Sequence, residues 1–310
     1  MMASNTKIEW CDATWNPVVG CSKVSAGCAN CYAVDMAARF CKHGQPFHGT
    51  VVTAEQIRLE RYMEGHIQRE PTRSKWTGLT VFKPHKLEQP LHWRKPRKIF
   101  VCSMGDLFHD SITNEQIAAI FGVMASCPQH TFIVLTKRPQ RALEWFEWFL
   151  RVGCGDLHRR LQVREDFTVI WPLQNVWLGV SIEDQQTAEE RIPILLQIPA
   201  AKRFVSAEPL LGEVDLTDLV TIDGDWEDHR DSLFCDVDPE DDSGPGGWNG
   251  ACLDWVICGS ETGPGKRRMN LNWARSLRDQ CAEAGVPFFF KKDSNGNREL
   301  DGVLHEEWPK

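Results

Sequence analysis

The amino-acid sequence predicts a mixed α/β fold built around a parallel β-sheet, and two patterns lead to this prediction. Short apolar runs of strand length alternate along the chain with longer segments of helical periodicity. The apolar runs are continuous, as expected for strands that are buried on both faces. Seven such runs and one preceding strand favour a TIM-like (β/α) barrel, either closed or incomplete. A doubly wound open sheet is the alternative.

The predicted strands and helices follow one another in a regular order. A first strand is expected to end at Val18–Val19 and to lead into a loop with three cysteines. The remaining strands are expected at 79–82, 99–102, 131–135, 176–180, 203–205, 255–258 and 287–290. The helices are expected at 32–40, 54–69, 114–126, 139–151, 184–197 and 271–284. Asn114 and Asp184 are typical of helix starts, and Gly285 is typical of a helix end.

The composition is that of a globular protein without a membrane-spanning segment. The chain has 310 residues, of which 42% are hydrophobic and 25% are charged, and we expect one domain over 1–310. No long uninterrupted apolar run is present, and the start lacks a hydrophobic signal core. Twelve cysteines without a secretory signal indicate a reducing, cytoplasmic location. Five of them are expected to be small buried apolar residues, namely Cys102, Cys127, Cys252, Cys258 and Cys281.

Negative charge is concentrated in one stretch of the chain. Residues 221–250 hold ten acids and one base, and so contribute −9 to a net charge of −8. The rest of the chain therefore carries +1, which leaves a nucleic-acid partner open. The stretch ends in the flexible composition of Ser243–Gly247, and we interpret it as an acidic surface insertion.

Three cysteines near the amino terminus point to a metal centre. Cys21, Cys28 and Cys31 are spaced C-x6-C-x2-C, and Gly20 and Gly27 each precede a cysteine. Glycine permits the sharp backbone bends that thiolates need to converge on one centre. Three protein ligands on a site that prefers four leave one position open, which is typical of a catalytic metal site. The spacing therefore favours an open [4Fe–4S] cluster.

A closed zinc site is the alternative interpretation of the same cysteines. It would need a fourth protein ligand, and Cys11 and His43 are the candidates. The next cysteine in the chain, Cys41, lies outside the motif. Because no fourth ligand lies beside the three, the cluster is the preferred interpretation.

Polar residues follow the predicted strands. The carboxyl ends of parallel strands meet at one rim, where the chemistry of such folds gathers. We therefore expect seven residues to contact a cofactor or substrate there: Ser103, Asp106, Lys137, Glu183, Ser206, Glu208 and Glu261. Acids would bind an ammonium group or ribose hydroxyls, and bases would bind a carboxylate or phosphate. For each residue taken alone, a helix cap or an ion pair is an equally good explanation.

Motifs spread over nearly the whole chain resemble the phage Gp37/Gp68 family, DUF5131, also called the three-Cys-motif family. They are Lys7–Trp10, Thr14–Pro17, Gly20–Cys21, Gly27–Ala33, Ser103–His109, Trp177–Ser181, Ser206–Gly212, Asp254–Gly265 and Pro287–Lys291. The family's usual Gly-Gly-Glu-Ser-Gly stands here as Gly259-Ser260-Glu261-Thr262-Gly263. A phage gene would place the protein in the cytoplasm of the host cell.

The resemblance implies a function through a further similarity. The family, whose activity is unassigned, is similar to radical S-adenosylmethionine (SAM) enzymes in its three-cysteine loop and barrel. This similarity implies that Cys21, Cys28 and Cys31 hold a [4Fe–4S] cluster that cleaves SAM and starts radical chemistry on an unidentified substrate. An electron donor would be a partner. Radical SAM enzymes typically use C-x3-C-x2-C, whereas the first gap here is six residues.

Two other functions stay open at the level of the sequence. The first is a zinc-stabilised phage binding or adaptor protein. The second is a nucleic-acid-modifying or repair enzyme that uses the same cluster. The thirteen tryptophans and the basic run Lys95–Lys98 support the second, since stacking and positive charge serve single strands.

Overall fold

The computed structural model describes residues 6, 8–64, 73–151, 171–223, 226–234, 251–263 and 265–310. In chain order the strands are β1 (Ala13–Trp15), β2 (Val18–Val19), β3 (Val51–Val52), β4 (Lys75–Trp76), β5 (Val81–Phe82), β6 (Lys98–Val101), β7 (Thr131–Thr136), β8 (Val176–Ser181), β9 (Lys202–Ala207), β10 (Leu219–Asp223), β11 (Trp226–Arg230), β12 (Trp255–Cys258), β13 (Phe288–Phe290), β14 (Glu299–Leu300) and β15 (Val303–Leu304). The α-helices are α1 (Tyr32–Ala38), α2 (Ala54–Met63), α3 (Asn114–Ala125), α4 (Pro139–Leu150), α5 (Gln185–Gln197) and α6 (Leu271–Ala284).

Seven strands form one parallel sheet. Their order across the sheet is β1, β6, β7, β8, β9, β12 and β13, and every neighbouring pair is parallel. This order follows the chain and does not reverse, as the order of a doubly wound sheet would. Among the described strands β1 and β13 form the two edges, so the sheet is a curled half-barrel that does not close. The predicted parallel α/β fold is confirmed in this incomplete form.

The strand predicted at 79–82 does not belong to the parallel sheet, so this prediction is wrong. Only Val81–Phe82 is extended there, and it pairs antiparallel with Val18–Val19 outside the main sheet. The predicted end of the first strand is also wrong, because β1 ends at Trp15. Pro17 interrupts the strand: it has no amide hydrogen to donate, and its carbonyl oxygen accepts a hydrogen bond from the Lys83 amide in the small ribbon.

The helix predictions are confirmed to within a few residues. Thr113 caps α3 and Asp184 caps α5, each through a capping box with the residue three positions later. Gly285 ends α6 in a left-handed conformation with φ of 68°. The predicted helix at 54–69 is helical over Ala54–Met63, and its last residues fall outside the described part of the chain.

Side chains of the sheet alternate between two apolar clusters because successive residues of a strand point to opposite faces. One face packs against the helices and forms the main core. The other carries what we call the inner cluster, the buried residues Trp10, Cys11, Phe100, Ile133, Phe204, Trp255, Ile257 and Phe289. Ile8 and Trp308 pack against this cluster, so segments near both chain ends cover the inner face.

Four of the five cysteines expected in the core are found there. Cys102, Cys127, Cys258 and Cys281 are buried and have free thiols. Cys252 is half-buried and disulfide-bonded, so the expectation is wrong for this residue.

The described part of the acidic stretch contains regular structure. Strands β10 and β11 form an antiparallel pair at its start. Residues 235–250, the remainder of the predicted surface insertion, lie outside the described residues. Within the described chain, every helix is too short or too polar to cross a membrane.

Candidate metal centre at the rim of the sheet

The cysteine loop, residues 20–31, follows β2 in the chain and starts beside the segment that comes after β6. The Gly20 amide donates a hydrogen bond to the Met104 carbonyl oxygen over 3.0 Å, and Gly20 bridges to Gly105 in parallel register. Gly20 has φ of +87°, and a Cβ added to it would overlap the Leu79 carbonyl oxygen. Only glycine therefore fits where the chain leaves β2 and enters the loop.

A single 3-10 turn over Ala26–Cys28 shapes the second half of the loop. The Cys28 amide donates to the Ser25 carbonyl oxygen over 3.0 Å, and α1 begins directly after Cys31. The predicted helix start at the last cysteine is confirmed. The loop is therefore compact between its 3-10 turn and the start of α1.

The three thiols are half-buried neighbours. Burial raises the pKa of Cys21 to about 12, and the nearby carboxylate of Asp106 acts in the same direction. Burial likewise raises the pKa of Cys31. Cys28 also raises the pKa of both other cysteines electrostatically. A metal would have to displace protons from these thiols.

The thiols do not stand in coordinating positions. Among the described residues, no three His, Cys, Asp or Glu side chains are close enough together to hold a metal ion. Three thiols are a suitable donor set for iron or zinc. Their side chains would have to turn toward a common centre to bind either one.

The two candidates for a fourth zinc ligand lie in different surroundings. Cys11 is buried in the inner cluster, and its thiol is 3.9 Å from the Ile8 carbonyl oxygen. Burial raises the pKa of Cys11 to about 12. His43 is exposed on the segment after α1, with its ring edge-on to that of His48.

Asp106 anchors the start of the cysteine loop through Arg138. One Asp106 oxygen accepts hydrogen bonds from the Thr136 hydroxyl at 2.8 Å and the Phe108 amide at 3.0 Å. The other accepts from Arg138 Nη1 at 3.0 Å and from the Lys137 amide at 3.2 Å. Arg138 also reaches the loop.

The Arg138 guanidinium contacts two consecutive loop residues. Its Nη1 lies 3.8 Å from Cys21 Sγ, and its Nη2 donates to the Ser22 hydroxyl at 2.7 Å and to the Ser22 carbonyl oxygen at 3.2 Å. The Ser22 hydroxyl also bonds to His109 Nε2 at 2.9 Å. Burial and then the charge of Arg138 lower the pKa of His109, so this histidine is neutral at pH 7.

Glu183 contacts the middle of the loop and is completely buried. Its Oε1 accepts hydrogen bonds from Lys137 Nζ and from the Ser25 hydroxyl, the latter at 2.9 Å. Its Oε2 accepts from Arg191 Nη1 at 3.1 Å. Both oxygens of this predicted cofactor ligand are therefore used within the protein.

Glu261 holds the end of the loop. Its Oε2 accepts from Asn30 Nδ2 at 2.8 Å and from the Arg267 amide at 2.7 Å, and its Oε1 pairs with Arg267 Nη2. Arg267 also donates to the Ala26 carbonyl oxygen at 3.0 Å. Burial alone would raise the pKa of Glu261, but the hydrogen bonds from Arg267 and Asn30 outweigh it and lower the pKa.

Glu208 forms a separate cluster with Glu9 and Lys291. Lys291 Nζ lies 3.3 Å from Glu208 Oε2 and 3.9 Å from Glu9 Oε2. Ser206 Oγ is 3.5 Å from Glu208 Oε2. Glu208 Oε1 and Glu9 Oε2 are buried and have no hydrogen-bond partner among the described residues. Buried acceptors without a donor are unfavourable, so these two oxygens have unused capacity for a ligand.

The predicted site residues lie along one rim, and most follow from strand alternation. Every second residue of a strand points to the same face. Continued from the inner cluster, this alternation puts five of the site residues on the inner face: Lys137, Glu183, Ser206, Glu208 and Glu261. Ser103 belongs to the turn after β6. Its carbonyl oxygen accepts from the Tyr32 hydroxyl at 3.1 Å, and its hydroxyl donates to Asn16 Oδ1 at 3.2 Å.

Five participating residues were not expected from the sequence: Glu9, Ser25, Asn30, Arg191 and Arg267. The first three lie inside or beside the amino-terminal family motifs, and this position was the only signal in the sequence that they take part in the site. The two arginines lie on a helix and in a loop, where arginine is ordinarily exposed.

Comparisons with known proteins give a family without a known activity. No curated protein and no solved structure matches this chain. The sequence profile of the family described as "Protein of unknown function (DUF5131)" matches residues 5–309. Because the match spans nearly the whole sequence, the chain belongs to the DUF5131 family.

Proposed function

We propose that this protein is a radical SAM-like iron–sulfur enzyme in which Cys21, Cys28 and Cys31 hold a [4Fe–4S] cluster. The observation that carries the proposal is the position of the three-cysteine loop, which is fastened to the carboxyl edge of a parallel half-barrel. Ligands of parallel α/β folds bind at this edge. Three thiols leave one position open for a co-substrate such as SAM.

The cluster, when bound, would supply the electron that cleaves SAM, and the protein would position and shield the reactants. Arg138 brings positive charge to the start of the loop and Arg267 brings it to the middle, where it would offset the charge of the thiolates. The inner cluster would keep water away from the underside of the rim. Asp106, Glu183 and Glu261 are each paired with cations of the protein. We therefore propose that these acids hold the loop in place and do not contact SAM.

Glu208 and Glu9 are the better candidates for contacts with SAM or the substrate. Each has a buried carboxylate oxygen that no described residue satisfies. Such oxygens would accept hydrogen bonds from an ammonium group or a ribose hydroxyl.

Anaerobic reconstitution with iron and sulfide tests the proposal. We expect a brown protein whose reduced form gives the electron paramagnetic resonance spectrum of a [4Fe–4S] cluster, and we expect SAM to change that spectrum. Cys21→Ser, Cys28→Ser and Cys31→Ser should each abolish the full cluster. Cys41→Ser is the matched control, because Cys41 is a half-buried free cysteine close to the loop.

The same samples decide between the proposal and its alternatives. One zinc per chain in a colourless protein would instead support a zinc-stabilised phage adaptor. Strongly salt-dependent binding of a single-stranded oligonucleotide would support a nucleic-acid-modifying or repair enzyme. Two members of the basic run are engaged within the chain, since Arg97 lies 5.1 Å from the Trp93 ring and Lys98 Nζ lies 3.0 Å from the Trp308 ring.

A further inference from the structure

We propose that Glu183 is a positioning residue for the cysteine loop, and that its buried carboxylate determines where Cys28 stands. This inference rests on the proposed function for its chemical meaning, because Cys28 is a proposed cluster ligand. The observations behind it are contacts of the protein itself. The Glu183 side chain is completely inaccessible to water, and it contacts Ser25 and Gly27, two loop residues that precede Cys28.

The loop rests directly on this carboxylate. A Cβ added at Gly27 would overlap Glu183 Oε1, and it would stand 2.7 Å from Cγ and 2.8 Å from Cδ. Ser25, on the other side of Ala26, donates to the same oxygen at 2.9 Å. Two of the three residues that precede Cys28 are thus placed by Glu183, one by steric contact and one by a hydrogen bond.

The charge of Glu183 is as important as its shape. Lys137 and Arg191 both donate to the carboxylate, so the buried group consists of one anion between two cations. A glutamine at this position would present amide hydrogens toward one of the cations and leave both without a counter-ion. Removing one partner of a buried ion pair is strongly unfavourable. The Glu183→Gln variant should therefore release the loop.

The Glu183 backbone is held independently of its side chain. Its amide donates to the Thr187 hydroxyl at 2.8 Å, and its carbonyl oxygen accepts from the Leu211 amide at 2.7 Å. These bonds survive a side-chain substitution. A change in the loop of the variant would therefore report on the carboxylate and not on a shift of the strand end.

The test measures the alkylation rate of Cys28 by iodoacetamide in the metal-free chain, read by mass spectrometry. Release of the loop should speed alkylation of Cys28 by about tenfold or more in Glu183→Gln, as expected when a local closed state is lost. Glu190→Gln is the matched control, because Glu190 is exposed on α5, and it should leave the rate unchanged. A rate in Glu183→Gln within twofold of the control would overturn the inference.

A second pair of variants covers the case in which Glu183→Gln does not fold. Gly27→Ala introduces the clash with the intact carboxylate and should also speed alkylation of Cys28. Glu183→Asp removes one methylene, so the double variant Gly27→Ala with Glu183→Asp should react more slowly than Gly27→Ala alone. Additive effects of the two substitutions would contradict a direct contact and overturn the inference.

The cobalt(II) spectrum gives a readout that separates this inference from the proposed function. If the wild type binds Co²⁺ through the three thiols, the thiolate absorption should be weakened in Glu183→Gln and retained in Glu190→Gln. If the wild type shows no thiolate absorption and forms no iron–sulfur cluster, the proposed function fails. The alkylation rates would still decide whether Glu183 positions the loop.

Discussion

At the scale of single residues, close backbone approaches decide where the cysteine loop can lie. Gly20 is required by its positive φ and by the Leu79 carbonyl oxygen, whereas Gly27 is required by the Glu183 carboxylate alone. Neither approach involves a metal. The backbone of the loop is therefore constrained by close contacts with distant parts of the chain.

Gly20→Ala tests the first of these approaches. We expect the free energy of unfolding to fall by about 1–3 kcal/mol, because alanine meets both an unfavourable φ and a steric overlap. Urea unfolding measures the loss. Gly44→Ala is the control, since Gly44 has φ of +77° and nothing within 4 Å of an added Cβ. Equal losses in the two variants would show that the overlap with Leu79 is relieved at no cost.

At the scale of secondary-structure elements, side-chain hydrogen bonds determine where helices begin. They also attach the turn between β14 and β15 to α6. The capping boxes of α3 and α5 satisfy backbone amides that a helix leaves unpaired. Further along the chain, Asp301 in the turn between β14 and β15 pairs with Arg275 and Arg278 of α6. These contacts connect neighbouring elements without involving the rim.

Thr113→Ala removes the cap of α3. We expect the free energy of unfolding to fall by about 1 kcal/mol, because the Gln116 amide loses its acceptor at the helix start. Thermal or urea unfolding measures the difference. Thr113→Ser keeps the hydroxyl and should retain most of the stability. A serine variant as unstable as the alanine variant would point to the methyl group and not to the cap.

Asp301 makes stability depend on pH in the acid range. Hydrogen bonds from Arg275 and then Arg278 lower the pKa of Asp301 from 3.8 to about 2. The unfolded chain therefore binds this proton more tightly, and the stabilisation is complete above about pH 4 and lost as pH falls toward 2. The difference in unfolding free energy between wild type and Asp301→Asn should shrink over this window. Asparagine is suitable because it tolerates the positive φ of 55°.

At the scale of the whole molecule, an open sheet needs a cover for its inner face. Trp10 from the amino-terminal segment and Trp308 from the carboxyl-terminal segment supply it. The centres of the Trp308 and Trp255 rings are 4.7 Å apart, and Lys98 Nζ lies 3.0 Å from the centre of the Trp308 ring. Side chains from these two segments therefore cover the inner face of a sheet that stays open at its edges.

Trp308→Ala tests this role of the carboxyl-terminal segment. We expect the free energy of unfolding to fall by about 2–4 kcal/mol, because the inner cluster would lose a large aromatic contact. Urea unfolding measures the loss. Trp308→Phe keeps a smaller ring and should lose less. If the alanine variant matched the wild type in stability, the inner face would have to be closed by other residues.

Local patterns determined the helices, the parallel strands and the cysteine motif of this protein. Helical periodicity, caps such as Thr113 and the glycine at 285 act within a few residues, so they can be recognised from the sequence alone. The run at 79–82 shows the limit of such patterns, because an apolar run does not state which strand it will pair with. The sequence also predicted Asp106, Glu183 and Glu261 at the rim, since each follows a strand and the carboxyl ends of parallel strands meet at one edge.

Only the tertiary structure decided what these acids do. Their partners come from distant parts of the chain: Arg138 reaches Cys21, Arg191 reaches Glu183 from α5, and Arg267 reaches the loop at Ala26. Whether a carboxylate is available to a ligand depends on the donors that folding brings to it. That is why three predicted ligands hold the loop, whereas one oxygen each of Glu208 and Glu9 has no donor among the described residues.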